Sequence, residues 1–225
     1  MKRITVLLAD DHQIVREGYR SLLRHERDLE VVGEAETGRE AVQLTRKLRP
    51  AVVVMDIAMP SLNGMEATRQ IRKHFPETQV LILSAHSDDA YVQQVIEFGA
   101  AGFLLKQTSS EMLAKAIRAV QRGKTFFSPS LSRRSGASEP PALESKGGLR
   151  KNSNRLSPRE VEVLQLIAEG KPNKQVAAEL GVSFKTADKH RQNLMGKLNI
   201  HDVAGLTRYA IGAGIIESSV QLTVQ

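Results

Sequence analysis

Ala51-Val52-Val53-Val54-Met55-Asp56-Ile57-Ala58-Met59-Pro60, AVVVMDIAMP, holds a single carboxylate at the end of an apolar run. Led in by Pro50, the residues before Asp56 have the composition of a short strand buried on both faces, as in a parallel sheet covered by helices on either side. In such folds the chemistry lies beyond the carboxyl ends of the strands, which is where Asp56 stands. Taken alone, the stretch favours a plainer reading, a turn carboxylate where a strand breaks into a loop. The decision rests on what else converges there.

Outward from this strand, similar runs recur at ITVLLA (4–9), LEVVGEA (29–35), QVLILS (79–84) and GFLLK (102–106). Amphipathic helical patterns fall between them near 12–25, 38–48, 64–74 and 88–98, and a last one at 109–122. Five strands alternating with five helices predict a doubly wound, flavodoxin-like α/β domain over residues 1–124, with right-handed crossovers onto a five-stranded parallel sheet. Residues 125–154 lose this periodicity to Ser, Pro, Gly and charge, and are expected to be a flexible basic linker. Order resumes at Leu156. Ser157-Pro158-Arg159-Glu160 is a capping box with Pro at the first helical position, and further helices are expected near 173–180, 184–198 and from Asp202. Residues 155–225 therefore form a small all-α domain.

The formal charge of +7 suggests nucleic acid until it is divided along the chain. Residues 1–130 carry +2, residues 131–155 carry +4 and residues 156–225 carry +1, so most of the excess lies in the linker. Any argument for DNA must come from local arrangement. The absence of Cys excludes disulfides and thiolate zinc sites. The apolar run at the N-terminus stops at Asp10 and Asp11, too early for a signal peptide, and no other run approaches bilayer length. A cytoplasmic protein with no membrane partner is expected.

Asp10 and Asp11 end the first strand as Asp56 ends the third, and in the usual doubly wound order those strands are neighbours. Three carboxylates at one mouth repel one another unless a cation compensates. Mg²⁺ suits them, since it takes a couple of carboxylates, a carbonyl and waters while leaving room for a phosphoryl oxygen. Ser84 and Lys106 end the fourth and fifth strands at the same face. A hydroxyl and an ammonium there would steady a phosphoryl group carried on one Asp. Singly, Ser84 reads as a strand-end hydroxyl, Phe103 as core and Lys106 as a solvated charge. His12 beside the carboxylates has no second His at ligand spacing and is set aside as a metal ligand.

Asp10-Asp11, Asp56 followed by Met59-Pro60 and Gly64, Ser84-Ala85, and Lys106 three residues after Phe103 resemble the receiver domain of bacterial response regulators. The resemblance implies that Asp56 accepts a phosphoryl group from a sensor histidine kinase. It further implies that Asp10, Asp11 and Asp56 bind Mg²⁺ with the Ala58 carbonyl, that Lys106 and Ser84 stabilise the phosphoryl group, and that Phe103 is the switch aromatic. Two positions depart from the common pattern: Gln107 follows Lys106 where Pro is usual, and Ala58 cannot hold an attacking water. The first bears on whether the Lys106–Gln107 peptide is cis, the second on how long the phosphoryl group survives.

The helices at 173–180 and 184–198 have helix-turn-helix dimensions, with Gly181 and Ser183 as turn and cap. Ala187, His190, Leu194 and Leu198 share one face of the second helix, leaving Lys185, Asp188, Lys189, Gln192 and Asn193 outward. Those groups could read bases and phosphates, or simply be the charged face of a surface helix. The segment LSPREVEVLQLIAEGKPNKQVAAELGVSFKTADKHRQNLMGKL is similar to the LuxR-type helix-turn-helix. With the receiver it makes a NarL/FixJ-type response regulator. The resemblance implies that Lys185, Thr186, Asp188, Lys189 and Gln192 face double-stranded DNA, that Asn173 and Lys174 begin the supporting helix, and that the last helix dimerises through Leu206 and Tyr209. Ala187, Asp188 and Gly196 depart from the usual residues. Asp188 reads better as an acceptor for a cytosine amine than as an on-helix partner of Lys185 or Arg191.

The function expected is a phosphorylation-activated, DNA-binding transcriptional regulator, homodimeric when phosphorylated or on DNA, and not an enzyme. An aspartyl-phosphate phosphatase would need an acid/base carboxylate where Ala58 stands. An orphan regulator binding DNA without phosphorylation is the remaining alternative.

Overall fold

The computed structural model describes residues 3–85, 95–127 and 156–216, which divide into two compact units. In the first, parallel strands β1 (Ile4–Ala9), β2 (Leu29–Ala35), β3 (Val52–Asp56), β4 (Gln79–Ser84), β5 (Gly102–Leu105) and β6 (Phe126–Phe127) form one sheet, ordered β2-β1-β3-β4-β5-β6. Helices α1 (Gln13–Arg24), α2 (Gly38–Leu48), α3 (Gly64–His74) and α4 (Ser110–Gln121) accompany it.

Strand alternation divides the core into two layers. Leu7, Val53, Met55, Val80, Ile82 and Phe103 pack with Ala41 of α2 and Ile71 of α3. Val6, Leu8, Val54, Leu81, Leu83 and Leu104 pack on the other face with Leu23 of α1 and Ile117 of α4. Because both faces are covered, the strands read as unbroken apolar runs. The chain reverses its order of travel across the sheet between β1 and β3, and a ligand site is expected at such a switch point.

β6 was not expected. Phe126 pairs with Gly102 and Phe127 with Phe103, so the sheet reaches into residues 125–154, where a linker is expected. Two residues are too short to display a period. Of the helix expected at 88–98, residues 88–94 lie outside the described residues and 95–97 are helical. Of the linker expected at 125–154, residues 128–154 also lie outside them.

The second unit contains α5 (Pro158–Ala168), α6 (Asn173–Glu179), α7 (Phe184–Leu198) and α8 (Val203–Gly212). The Ser157 side chain accepts from the Glu160 backbone N–H, and Glu160 Oε2 accepts from that of Ser157 at 2.7 Å, completing the capping box. Gly181 turns the chain at φ +61°, and Ser183 caps α7 by accepting from Thr186 N–H. Val163, Leu164, Leu166, Val176, Ala187, Leu194 and Leu206 form a core of their own. No helix among the described residues is long and apolar enough to cross a membrane.

Candidate functional site

The register between β1 and β3 sets Ala9 opposite Met55, so Asp10 and Asp56 leave the sheet side by side. Asp56 Oδ1 accepts from the N–H of Ile57 at 2.8 Å, and Oδ2 lies 2.9 Å from Lys106 Nζ. The same ammonium lies 2.9 Å from Asp10 Oδ2. Lys106 is brought there by the β4–β5 pairing, which continues as a 2.8 Å bond from its N–H to the Ser84 carbonyl. Ser84 is buried at the end of β4, and Phe103 is wholly buried in the core beneath. The Lys106–Gln107 peptide is trans, as are all peptides among the described residues.

Burial raises the Asp56 carboxyl, Lys106 pulls it back and Asp10 adds to the rise, which leaves it at about 6. For Lys106 burial works against the charge, but the two carboxylates outweigh it and hold its pKa above the usual value. The site therefore contains a firmly charged ammonium facing two buried carboxylates, with Asp11 exposed at the rim.

Ligand atoms of Asp10, Asp11, His12 and Asp56 all lie within 4.8 Å of one another. His12 Nδ1 is 2.8 Å from Asp11 Oδ1, so the imidazole stands against the acidic rim as an ion-pair partner of Asp11 when protonated. Asp10 Oδ2 is buried, and although Lys106 balances its charge, no aligned hydrogen bond reaches it. An oxygen in that condition, within a set of hard carboxylate donors, fits a magnesium ion.

Two supports were not legible in the sequence. Arg16 of α1 is buried, donates from Nη1 to the Asp10 carbonyl at 2.7 Å, and pairs through Nη2 with Glu36 at 2.7 Å. It fixes the turn that presents the acidic pair. Tyr19 directs its hydroxyl at the Lys106 carbonyl from 3.4 Å. Glu36 and Lys106 are 20 and 87 residues away, and the Asp10 contact is made by a backbone carbonyl, so no local spacing of side chains marks either support. Gly64, noted in the motif, has a clear reason: a Cβ there would lie 1.8 Å from the Asp56 carbonyl oxygen. The first turn of α3 thus lies directly against the end of β3.

In the second unit Lys185, Thr186, Lys189 and Gln192 are exposed on α7, and Lys174 is exposed on α6. Asp188 pairs with neither Lys185 nor Arg191. Its Oδ1 accepts from Asn173 Nδ2 at 3.0 Å and its Oδ2 from Gln192 Nε2 at 2.8 Å. Arg191 donates instead to Asn173 Oδ1 at 2.8 Å. One expectation is corrected: Leu206 is 0% exposed and belongs to the core, so it cannot form a docking face on α8. Val203 and Tyr209, three residues to either side, are exposed at the edges of the buried stripe that Leu206 and Ala210 form.

Residues 6–118 match the response regulator receiver domain, and residues 154–210 match the bacterial regulatory proteins of the luxR family. The transcriptional regulatory protein LiaR of Bacillus subtilis is 38% identical, with 92% of this chain and 96% of that protein covered. DegU of Brevibacillus brevis, another transcriptional regulatory protein, is 37% identical, with 89% of each chain covered. A solved structure of the Salmonella typhimurium response regulator RcsB is similar at a TM-score of 0.60 and 32% identity, covering 93% of this chain and 97% of that one. A second RcsB structure, described as two dimers bound to two parallel DNAs, matches at a TM-score of 0.56 and 31% identity, covering 92% and 98%. Asp10, Asp11 and Asp56 thus form an acidic pocket of the kind typical of a receiver's Mg²⁺ site. With a receiver sheet at one end and a LuxR-type DNA-binding domain at the other, the chain belongs to the NarL/FixJ-type two-component response regulators, which are transcriptional regulators and not enzymes.

Proposed function

We propose that Asp56 is the phospho-acceptor of this regulator, that a sensor histidine kinase supplies the phosphoryl group, and that loading favours a homodimer on promoter DNA. The observation that carries this reading is the Lys106 ammonium, 2.9 Å from both Asp56 and Asp10 at the mouth of the sheet. A carboxylate oxygen of Asp56 attacks phosphorus, forming an acyl phosphate as the bond to the donor breaks. Lys106 then exchanges its carboxylate contacts for the phosphoryl oxygens, a charge-assisted pairing already within reach. Ser84, one strand away, offers its hydroxyl to the same group, and Phe103, buried on β5 opposite Ile82, is the switch aromatic. Asp10, Asp11, Asp56 and the Ala58 carbonyl would hold Mg²⁺, which neutralises charge on the entering phosphate. On the DNA side, Lys185, Thr186, Lys189 and Gln192 of α7 face the duplex, with Asn173 and Lys174 at the start of α6. The site of action is the cytoplasm.

Incubation of the full chain with acetyl phosphate and Mg²⁺ should give hydroxylamine-sensitive loading that Asp56→Asn abolishes. Undiminished loading of Asp56→Asn would refute the assignment. Lys106→Ala should bind Mg²⁺ but show a weak dimerisation response to beryllofluoride in light scattering. A normal response would remove Lys106 from its role.

A further inference from the structure

Both oxygens of Asp188 are engaged within the protein, one by Asn173 at the start of α6 and the other by Gln192 one turn along α7. Asn173 is itself held by Arg191, so a cation stands behind the carboxylate through one intervening amide. The chain Arg191–Asn173–Asp188–Gln192 links the supporting helix to the outward face of the recognition helix. It ends on Gln192, which is exposed. Gln192 spends one of its two amide hydrogens on Asp188. Its other amide hydrogen and its Oε1 have no hydrogen-bond partner among the described residues. One donor and one acceptor in a plane are what a glutamine presents to adenine, donating to N7 and accepting from the exocyclic amine. An unsupported glutamine on a helix surface would have to surrender rotamer freedom to do this, and a fixed carboxylate at its back removes part of that cost.

We propose that Asp188 is a positioning residue for DNA reading: it holds the Gln192 amide so that Gln192 reads an adenine in each half-site. The proposal rests on α7 facing the base edges. It also accounts for a carboxylate close to phosphates, because the Asn173 and Gln192 donors and the nearby Arg191 offset its charge. Asp188 is then not the reader of a cytosine.

Full-length wild type, Gln192→Ala, Asp188→Ala and Asp188→Asn, each treated with beryllofluoride and Mg²⁺, would select sites from one randomised duplex pool. Gln192→Ala should flatten an A·T column in each half-site, a preference of about tenfold or more in wild type. Asp188→Ala should weaken that same column and no other. Asp188→Asn, which keeps one acceptor oxygen for the two donors, should weaken the column less than Asp188→Ala does. In the free protein, the Gln192 side-chain amide resonances should shift in Asp188→Ala while the backbone spectrum of α7 persists, which separates positioning from misfolding. If Asp188→Ala flattens a different, C·G column, Asp188 is a direct reader and the proposal fails. It fails equally if Asp188→Ala leaves every column unchanged while Gln192→Ala does not. If Gln192→Ala itself changes no column, the assignment of α7 as the base-reading surface is what falls.

Discussion

Asp56 is kept in a state that is costly for a carboxylate. Its pKa is raised to about 6 from 3.8, chiefly by burial, so the ionised form is less stable folded than unfolded. The stability this group allows is complete below pH 3.8 and is lost as pH rises through about 6. By linkage the cost at pH 8 without divalent cations is of the order of 3 kcal/mol. Asp56→Asn should therefore stabilise the metal-free protein at pH 8, with the advantage shrinking toward pH 4. Urea melts across that range would check it, and equal stability of the two proteins at pH 8 would count against the burial argument. Mg²⁺ should likewise raise the wild-type melting temperature more at pH 7.5 than at pH 5, because proton and cation compete for one carboxylate. Gly64 is constrained by space. Its Cβ would meet the Asp56 carbonyl at 1.8 Å, so Gly64→Ala should cost at least the 1–3 kcal/mol typical of overpacking and slow loading from acetyl phosphate.

At the scale of elements, α5 and α8 show how much a helix depends on its ends and on its inward stripe. Glu160 closes the capping box and also meets Lys197 of α7 at 2.7 Å. Burial would raise its pKa, but the bonds from Lys197 and Ser157 outweigh burial and leave it lowered. Its contribution is present above the ordinary value of 4.5 and is lost as pH falls through the lower folded value. Glu160→Gln should accordingly reduce the acid sensitivity of the second unit, seen as a flatter melting curve against pH below 4.5. Ser157→Ala should cost about 1 kcal/mol through the cap alone. On α8 the two residues once paired for docking now separate: Leu206→Ala should cost about 2–5 kcal/mol as a core deletion. Tyr209→Ala should change stability by no more than about 0.5 kcal/mol yet weaken cooperative binding to a two-half-site duplex, measured by gel shift and thermal melting in parallel.

For the whole molecule, each unit has its own core, and this makes the second a candidate for independent action. A fragment of residues 150–225 should bind operator DNA as well as, or better than, the unphosphorylated full chain, since domains joined by a long linker are independent by default. Weaker binding by the fragment in fluorescence anisotropy would mean that the receiver or the linker contributes contacts or the dimer.

The sequence by itself determined the alternation of strands and helices, the caps at Ser157 and Ser183, and the places of Asp10, Asp56, Ser84 and Lys106, because each of these follows from local period or from position at a strand end. Tertiary structure alone decided which carboxylates Lys106 joins, that Arg16 anchors Asp10, that Phe126 and Phe127 extend the sheet, that Leu206 turns inward, and that Asp188 answers to Asn173 and Gln192. Local spacing gives the phase of a helix or strand, but the partner that meets each face comes from segments distant in the chain. Polar contacts such as Arg16 with Asp10 leave no mark in hydrophobic periodicity, so only packing reveals them.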